Sequence, residues 1–341
     1  MRKKADWSRR NRMTNLLVFK EKLNHFYVKN GRFIRPILKF LAAFIVFTLI
    51  NHNIGYDQRL TNIMVVLGLS VLGALLPTAL LVLLAAVFST IHVYYVSPVL
   101  SIIVIMLFLI LYFLFIRFMP KSGYVVLAVP VLYLLKIPFL MPILLGLVSG
   151  PIAMVPVSCG IVIYYLFKII KEATLVTSGT SVEDILGIYK YVVDHLMSNR
   201  EMILTIVVFG VVLLVTYFIR NLSVDYAFYI AILAGSVINV LAFLIGGLVM
   251  TVTTKLTFVI AGSIVSGIIV FVIQFFRLNL DYSSVEYTQF EDDDYYYYVK
   301  AVPKVKIAVP KKDVKRINGK SQDESFDADS KQAKVLEQER N

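Results

Sequence analysis

Residues 120–171 read PKSGYVVLAVPVLYLLKIPFLMPILLGLVSGPIAMVPVSCGIVIYYLFKIIK, an apolar run punctuated by Pro120, Pro130, Pro138, Pro142, Pro151 and Pro156, with Gly146 and Gly150 between. An interior proline removes a backbone donor and clashes with the preceding turn, so a soluble core helix does not survive this spacing. In a bilayer such breaks are tolerated where neighbouring helices or a wet cavity satisfy the freed backbone groups. Gly123 to Leu135 and Phe139 to Val148 are each too short for an ordinary crossing, whereas Pro151 to Ile170 is a full span. Two arrangements of the short pieces stay open: the halves of a re-entrant hairpin, or one long kinked helix.

Everything flanking this stretch also reads as membrane. Of the 341 residues, 58% are hydrophobic and 16% charged, and the soluble average is roughly 25% charged. The mean hydropathy is +0.77. Ahead of the broken stretch lie spans at about Pro36 to Ile54, Leu60 to Leu76, Thr78 to Val96 and Val99 to Phe118, with Pro77 and Pro98 at two of the turns. After it come Met202 to Ile219, Tyr226 to Met250 and Leu256 to Phe276. The fold class is therefore all-α: a polytopic integral membrane helix bundle of about eight transmembrane helices plus a broken or re-entrant helical hairpin.

The formal charge of +12 is concentrated before the first span, where twelve Lys and Arg from Arg2 to Lys39 face only Asp6 and Glu21. A basic block abutting a span reads as a cytoplasmic segment touching the anionic inner leaflet rather than as a nucleic-acid site. Within it Met13, Leu16, Phe19, Leu23, Phe26 and Tyr27 recur at roughly helical spacing, an interfacial amphipathic helix. Basic residues at Arg117, Lys121, Arg220 and Arg277 place their loops on the same side, with both termini cytoplasmic and the polar stretch from Lys171 to Arg200 outside. In that stretch Ser181 and Asp184 make a helix-start signal, and Val182 to Leu196 carries an apolar stripe.

The expected organisation is a basic N-terminal segment (1–35), a first bundle (36–170) with broken helices at 120–160, and an extracytoplasmic amphipathic helix (171–200). A three-helix membrane segment (201–277) and a largely disordered acidic and tyrosine-rich tail (278–341) complete it. In the three-helix segment, Ile232-Leu-Ala-Gly-Ser-Val-Ile238 and Val259-Ile-Ala-Gly-Ser-Ile-Val265 are similar, and small-xxx-small pairs include Gly146 with Gly150 and Gly262 with Ser266. Small residues let helices approach closely in lipid. Pro130, Pro138, Pro142, Gly146, Gly150, Pro151, Gly235 and Gly262 are thus the expected packing or hinge positions.

Chemistry is sparse. No acidic residue occurs between Gln58 and Lys171, nor between Tyr226 and Leu280, which argues against a carboxylate-based proton or sodium relay. Lys136 is the lone charge well inside the broken stretch, and with His92 and Asn239 it forms the candidate substrate-binding set; a lysine at a hairpin tip that snorkels to the interface is the competing reading. Arg220 and Asp225, on either side of a tight turn, are expected to form a structural ion pair. The single cysteine, Cys159, excludes an internal disulfide or a cysteine-based metal site, and Gly319-Lys320-Ser321 lacks the upstream glycine of a phosphate-cradling loop. The chain reads as non-enzymatic, without metal or cofactor, and an energised transporter built on it requires a separate ATPase subunit.

The tail carries Tyr287, Phe290, Asp292, Asp293, Asp294 and Tyr295, Tyr296, Tyr297 and Tyr298 in close order, a motif expected to meet a cytoplasmic protein partner. Val305, Ile307 and Val309 alternate with charged or small residues, which suits strand addition to a partner's sheet. The junction Ile219-Arg-Asn-Leu-Ser-Val-Asp-Tyr-Ala227 and the tail from Glu286 to Lys304 resemble those of a group of uncharacterised bacterial polytopic membrane proteins, sometimes labelled ABC transporter permeases. That resemblance implies a bacterial cytoplasmic membrane. Two functions follow as expectations: a permease-like subunit for a small molecule, or a non-catalytic scaffold that recruits partners through its tail. The first expects polar groups converging at membrane depth and the second a dry, tightly packed bundle.

Overall fold

The prolines that break the sequence mostly fall where a helix can use them. In the computed structural model, Pro98 and Pro151 open helices, and Pro142 and Pro156 lie in first turns, where the missing N–H has no intrahelical partner to lose. Among the described residues only Pro36 and Pro130 are interior. The structure describes residues 19–20, 22–23, 25–113, 117, 122–176, 182–252, 255–277, 280 and 285–303.

Among the described residues from Gly31 onward, eleven α-helices follow one another: α1 (Gly31–Ile54), α2 (Ile63–Leu75), α3 (Thr78–Val96), α4 (Pro98–Leu111), α5 (Gly123–Leu134), α6 (Leu140–Val148), α7 (Met154–Val176), α8 (Val182–Met197), α9 (Arg200–Arg220), α10 (Ala227–Val249) and α11 (Leu256–Arg277). A hairpin of β1 (Glu286–Glu291) and β2 (Tyr296–Ala301) closes the described chain. Six helical stretches are long and apolar enough to cross a bilayer: Gly31–Ile54, Thr78–Val96, Pro151–Thr174, Gly187–Arg220, Ala227–Val249 and Leu256–Arg277. The other apolar helices are shorter. The 13 residues of α2 rise about 20 Å, well under a ~30 Å hydrocarbon core.

Contacts fix the direction of the broken stretch. α7 runs antiparallel to α9, with Tyr165 bonded to Thr205 and Lys168 paired with Glu201. α5 runs alongside α7 in the same direction, Val129 against Gly160 and Tyr133 stacked on Tyr164 with centroids 4.1 Å apart. α6 returns alongside α9: Phe139 meets Phe209, Gly146 meets Thr216, and the Leu147 carbonyl meets Arg220. Residues 123–148 are therefore a hairpin whose two ends lie toward the Arg220 end of the bundle. Its tip, three residues beyond Tyr133, stands level with Lys168. From Phe209 to Arg220 is about 16 Å along α9, so α6 accounts for half of a hydrocarbon core.

Two groups of helices share α7. One core gathers α6, α9, α10 and α11 around Phe139, whose ring lies within 6.1 Å, centroid to centroid, of Phe209, Phe243 and Phe258. The other packs α1 to α5 against the opposite flank of α7. The amphipathic helix expected within 171–200 appears as α8, with Ile188 and Val192 buried. Its Ser181 start signal lies outside the described residues, as do Met13 and Leu16 of the N-terminal stripe. The described residues from Phe19 to Lys29 are helical, with Phe19, Leu23 and Phe26 exposed.

Within the tail, residues 286–301 form an antiparallel hairpin whose turn is built by Asp292. The carboxylate accepts from the backbone N–H of Asp294 at 3.0 Å and Tyr295 at 2.7 Å, and from the Tyr297 hydroxyl at 2.8 Å. The Phe290 and Tyr297 rings stack across the register at 4.9 Å. Residues 304–341, including Val305, Ile307 and Val309, lie outside the described residues.

Candidate functional site

The three residues proposed to touch substrate do not converge. Lys136 sits at the tip of the α5–α6 hairpin, exposed, with φ of 63°. It occupies the left-handed position that ends α5: its N–H bonds to the Tyr133 carbonyl and that of Ile137 to the Leu132 carbonyl, the paired closure usually given to glycine. Its exposure at the hairpin tip is compatible with the snorkelling alternative. Lys136→Gly is expected to relieve the strained backbone and to be neutral or stabilising by up to about 1 kcal/mol in thermal unfolding. A ligand contact would instead show as lost binding with unchanged stability.

His92 is fully buried and both ring nitrogens are used. Nδ1 accepts from the Asp57 N–H at 3.3 Å, so Nε2 carries the proton donated to Asn51 Oδ1 at 2.8 Å. Asn51 Nδ2 in turn donates to the Leu60 carbonyl at 3.2 Å. This network ties α3 to the end of α1 and its following loop. Asn239, also fully buried, donates to Ser263 Oγ at 2.6 Å and links α10 to α11, while its Oδ1 and Ser266 Oγ find no partner among the described residues.

The glycines behave as packing positions. A Cβ on Gly146 would lie 2.7 Å from Thr216 Cβ and 2.9 Å from the Leu213 carbonyl oxygen, and one on Gly235 would lie 2.5 Å from Thr216 Oγ1. Thr216 thus sits in a three-way crossing of α6, α9 and α10. Gly262 is covered by the Phe139 ring at 2.6 Å from an added Cβ. Gly150 has open space around its Cα, so close packing does not explain it.

The Arg220–Asp225 ion pair does not form. Arg220 turns back along α9, stacks on Tyr217 and donates to the Leu147 carbonyl, while Asp225 faces out and pairs with Lys300 of β2 at 2.7 Å. The turn places the two side chains on opposite errands. The Asp225–Lys300 bridge, 75 residues apart in sequence, holds the tail hairpin against the α9–α10 turn. Nothing in local spacing announces it, nor the Lys168–Glu201 pair.

The described interior is mostly apolar. A cavity of ≈ 90 Å³ lies between α1, α3, α4, α5 and α7, bounded by Ile50, Phe108, Pro130 and Phe167 with few polar groups, among them Asn53 and Ser89. A wider groove of ≈ 530 Å³ between α3 and α4 shares Leu83, Ala86 and Phe108 with it.

The tail hairpin is the contrasting surface. All twelve strand residues are exposed, Tyr298 at 81% and Tyr287 at 77%. One face carries Thr288, Phe290, Tyr297 and Val299, and the other Tyr287, Gln289, Tyr296, Tyr298 and Lys300. Five carboxylates between Glu286 and Asp294 face the single Lys300. The bond from the Tyr297 hydroxyl, with those from the Tyr295 and Asp294 amides, holds the Asp292 carboxyl below its ordinary value, and the same bond raises the Tyr297 phenol. A carboxyl whose folded pKa is depressed stabilises above its unfolded pKa, near 4, and ceases to as pH falls through the folded value. The protection factors of the Asp294 and Tyr295 amides, corrected for the intrinsic pH dependence of exchange, are therefore expected to fall below about pH 4. Asp292→Ala should bring the same loosening at neutral pH.

Six helices able to span a bilayer and an apolar interior define an integral membrane protein. No protein-family model, no curated protein and no solved structure matches the chain.

Proposed function

We propose that this is a non-catalytic membrane scaffold: an apolar helix bundle that anchors an acidic, tyrosine-rich hairpin as its working surface. The observation that carries the reading is the hairpin itself. A two-stranded hairpin is at best marginal alone, yet this one is closed by Asp292, bridged to the bundle by Lys300 and Asp225, and exposes every strand residue. Its charge suits a basic protein partner and repels anionic headgroups, which keeps it off the leaflet. The basic residues from Arg2 to Lys39 and the resemblance to bacterial membrane proteins support a bacterial cytoplasmic membrane with this hairpin on the cytoplasmic side.

A photo-crosslinking residue at Tyr298 in intact cells tests it. One dominant protein adduct that disappears on Asp225→Ala, with the chain still inserted, is expected; no adduct from either hairpin face contradicts a recruiting role.

The permease-like reading retains one observation, the apolar cavity beside the broken hairpin. It fits an apolar cargo such as an acyl chain and not a polar solute, with energy from a separate ATPase subunit. Transport of a lipid-like probe by reconstituted protein plus ATPase would favour it.

A further inference from the structure

At the Arg220 end of the bundle, two cations meet over one backbone oxygen. The Leu147 carbonyl, in the last turn of α6, accepts from Arg220 Nη1 and from Arg277 Nη1, the latter at 3.4 Å. Arg220 is the last residue of α9 and Arg277 the last of α11, so three helix ends converge there. A helix C-terminus supplies only about half a negative charge, and two guanidiniums bring two positive ones. Among the described residues the ion pairs are Lys168–Glu201 and Lys300–Asp225, and neither arginine has a carboxylate. Where apolar helices end, water screens such like charges less than it does in bulk.

The remaining donors have a set direction. Arg220 is held by the Tyr217 ring, 5.1 Å from the guanidinium, and by Asn221 Oδ1 at 3.4 Å from Nε. Its Nη2 and that of Arg277 have no hydrogen-bond acceptor among the described residues. A guanidinium fork matches a phosphate bidentately and is its preferred protein partner. Phe218 and Phe276, two residues and one residue before these arginines, are exposed apolar side chains at the same depth. The geometry points to a phosphate-binding site between Arg220 and Arg277, filled by the headgroup of an anionic membrane lipid whose chains lie along the exposed apolar faces of α9 and α11. The site is independent of the recruiting role of the hairpin. Its consequence is structural: the lipid phosphate completes the cap of α6 and fixes the returning arm of the broken hairpin.

The test uses the detergent-purified full chain titrated with short-chain phosphatidylglycerol, short-chain phosphatidylcholine and inorganic phosphate. Phosphatidylglycerol is expected to bind more tightly than phosphatidylcholine, and Arg277→Gln to weaken it about tenfold, the worth of a lost charged hydrogen bond. Lys190→Gln removes a charge of the same sign from an exposed position on α8, beyond the opposite end of α7, and should change binding less than about twofold. Arg277 is the position to vary, because Arg220→Ala uncaps α6 and risks the fold. Displacement of the lipid by inorganic phosphate at similar concentration assigns the site to a soluble phosphate; failure to displace assigns it to the lipid. Equal affinity for the two lipids, or unchanged binding in Arg277→Gln, overturns the site.

Discussion

Phe139→Ala is expected to be the most destabilising single change in the broken stretch, at about 3 kcal/mol or more in detergent unfolding. The side chain is 3% exposed and sits at the entry to α6, packed by ring contacts to three helices at once: Phe209 on α9, Phe243 on α10 and Phe258 on α11. Alanine leaves a void that these rigid rings fill poorly, and it also uncovers Gly262 on α11, against which the Phe139 ring lies. In a membrane the lost term is mainly dispersion, since lipid tails are as apolar as the core. Phe139→Leu, which keeps volume, should cost under about half as much. A loss below about 1 kcal/mol for alanine would mean that α6 is not packed at this crossing.

Gly146→Val should fail by the opposite mechanism. An added Cβ meets the Leu213 carbonyl at 2.9 Å and Thr216 Cβ at 2.7 Å, and a backbone oxygen inside a helix has nowhere to go. α6 must move away from α9, which strains the Leu147–Arg220 bond that ends it. Overpacking of this kind costs about 1–3 kcal/mol. Partial rescue by Thr216→Ser, which removes the Thr216 Cγ2 that the added Cβ would meet at 3.0 Å, is expected; strictly additive losses would separate the two sites. Gly150→Ala, with open space around it, serves as the control and should be close to neutral.

Much of this was legible in the chain because apolar length and proline position are local signals. The helices at 78–96, 227–249 and 256–277 lie within a residue or two of the expected spans. The short pieces Gly123–Leu134 and Leu140–Val148 are separated by the Lys136-Ile-Pro138 break, and of their glycines Gly146 is closely packed. What spacing does not carry is which distant side chain arrives. Arg220 and Asp225, five residues apart, suggest each other, yet their partners come from Leu147 and Lys300. His92 reads as a lone polar group in an apolar helix until the loop after α1 brings Asn51 and Asp57 to it. The acidic tyrosine run reads as unfoldable by burial. It folds through turn hydrogen bonds and ring stacking, neither of which needs a core.

The broken hairpin is what places these parts, and thiol labelling tests it most directly. In a Cys159→Ser background, single cysteines at Ser122 and Ser149 flank the hairpin, with Ser223 marking the Arg220 face and Ser198 the opposite one. An impermeant reagent applied to each side of sealed vesicles should modify Ser122→Cys and Ser149→Cys from the side that modifies Ser223→Cys, and not from the side that modifies Ser198→Cys. Labelling of the two flanks from opposite sides would make residues 123–148 a single crossing and contradict the hairpin.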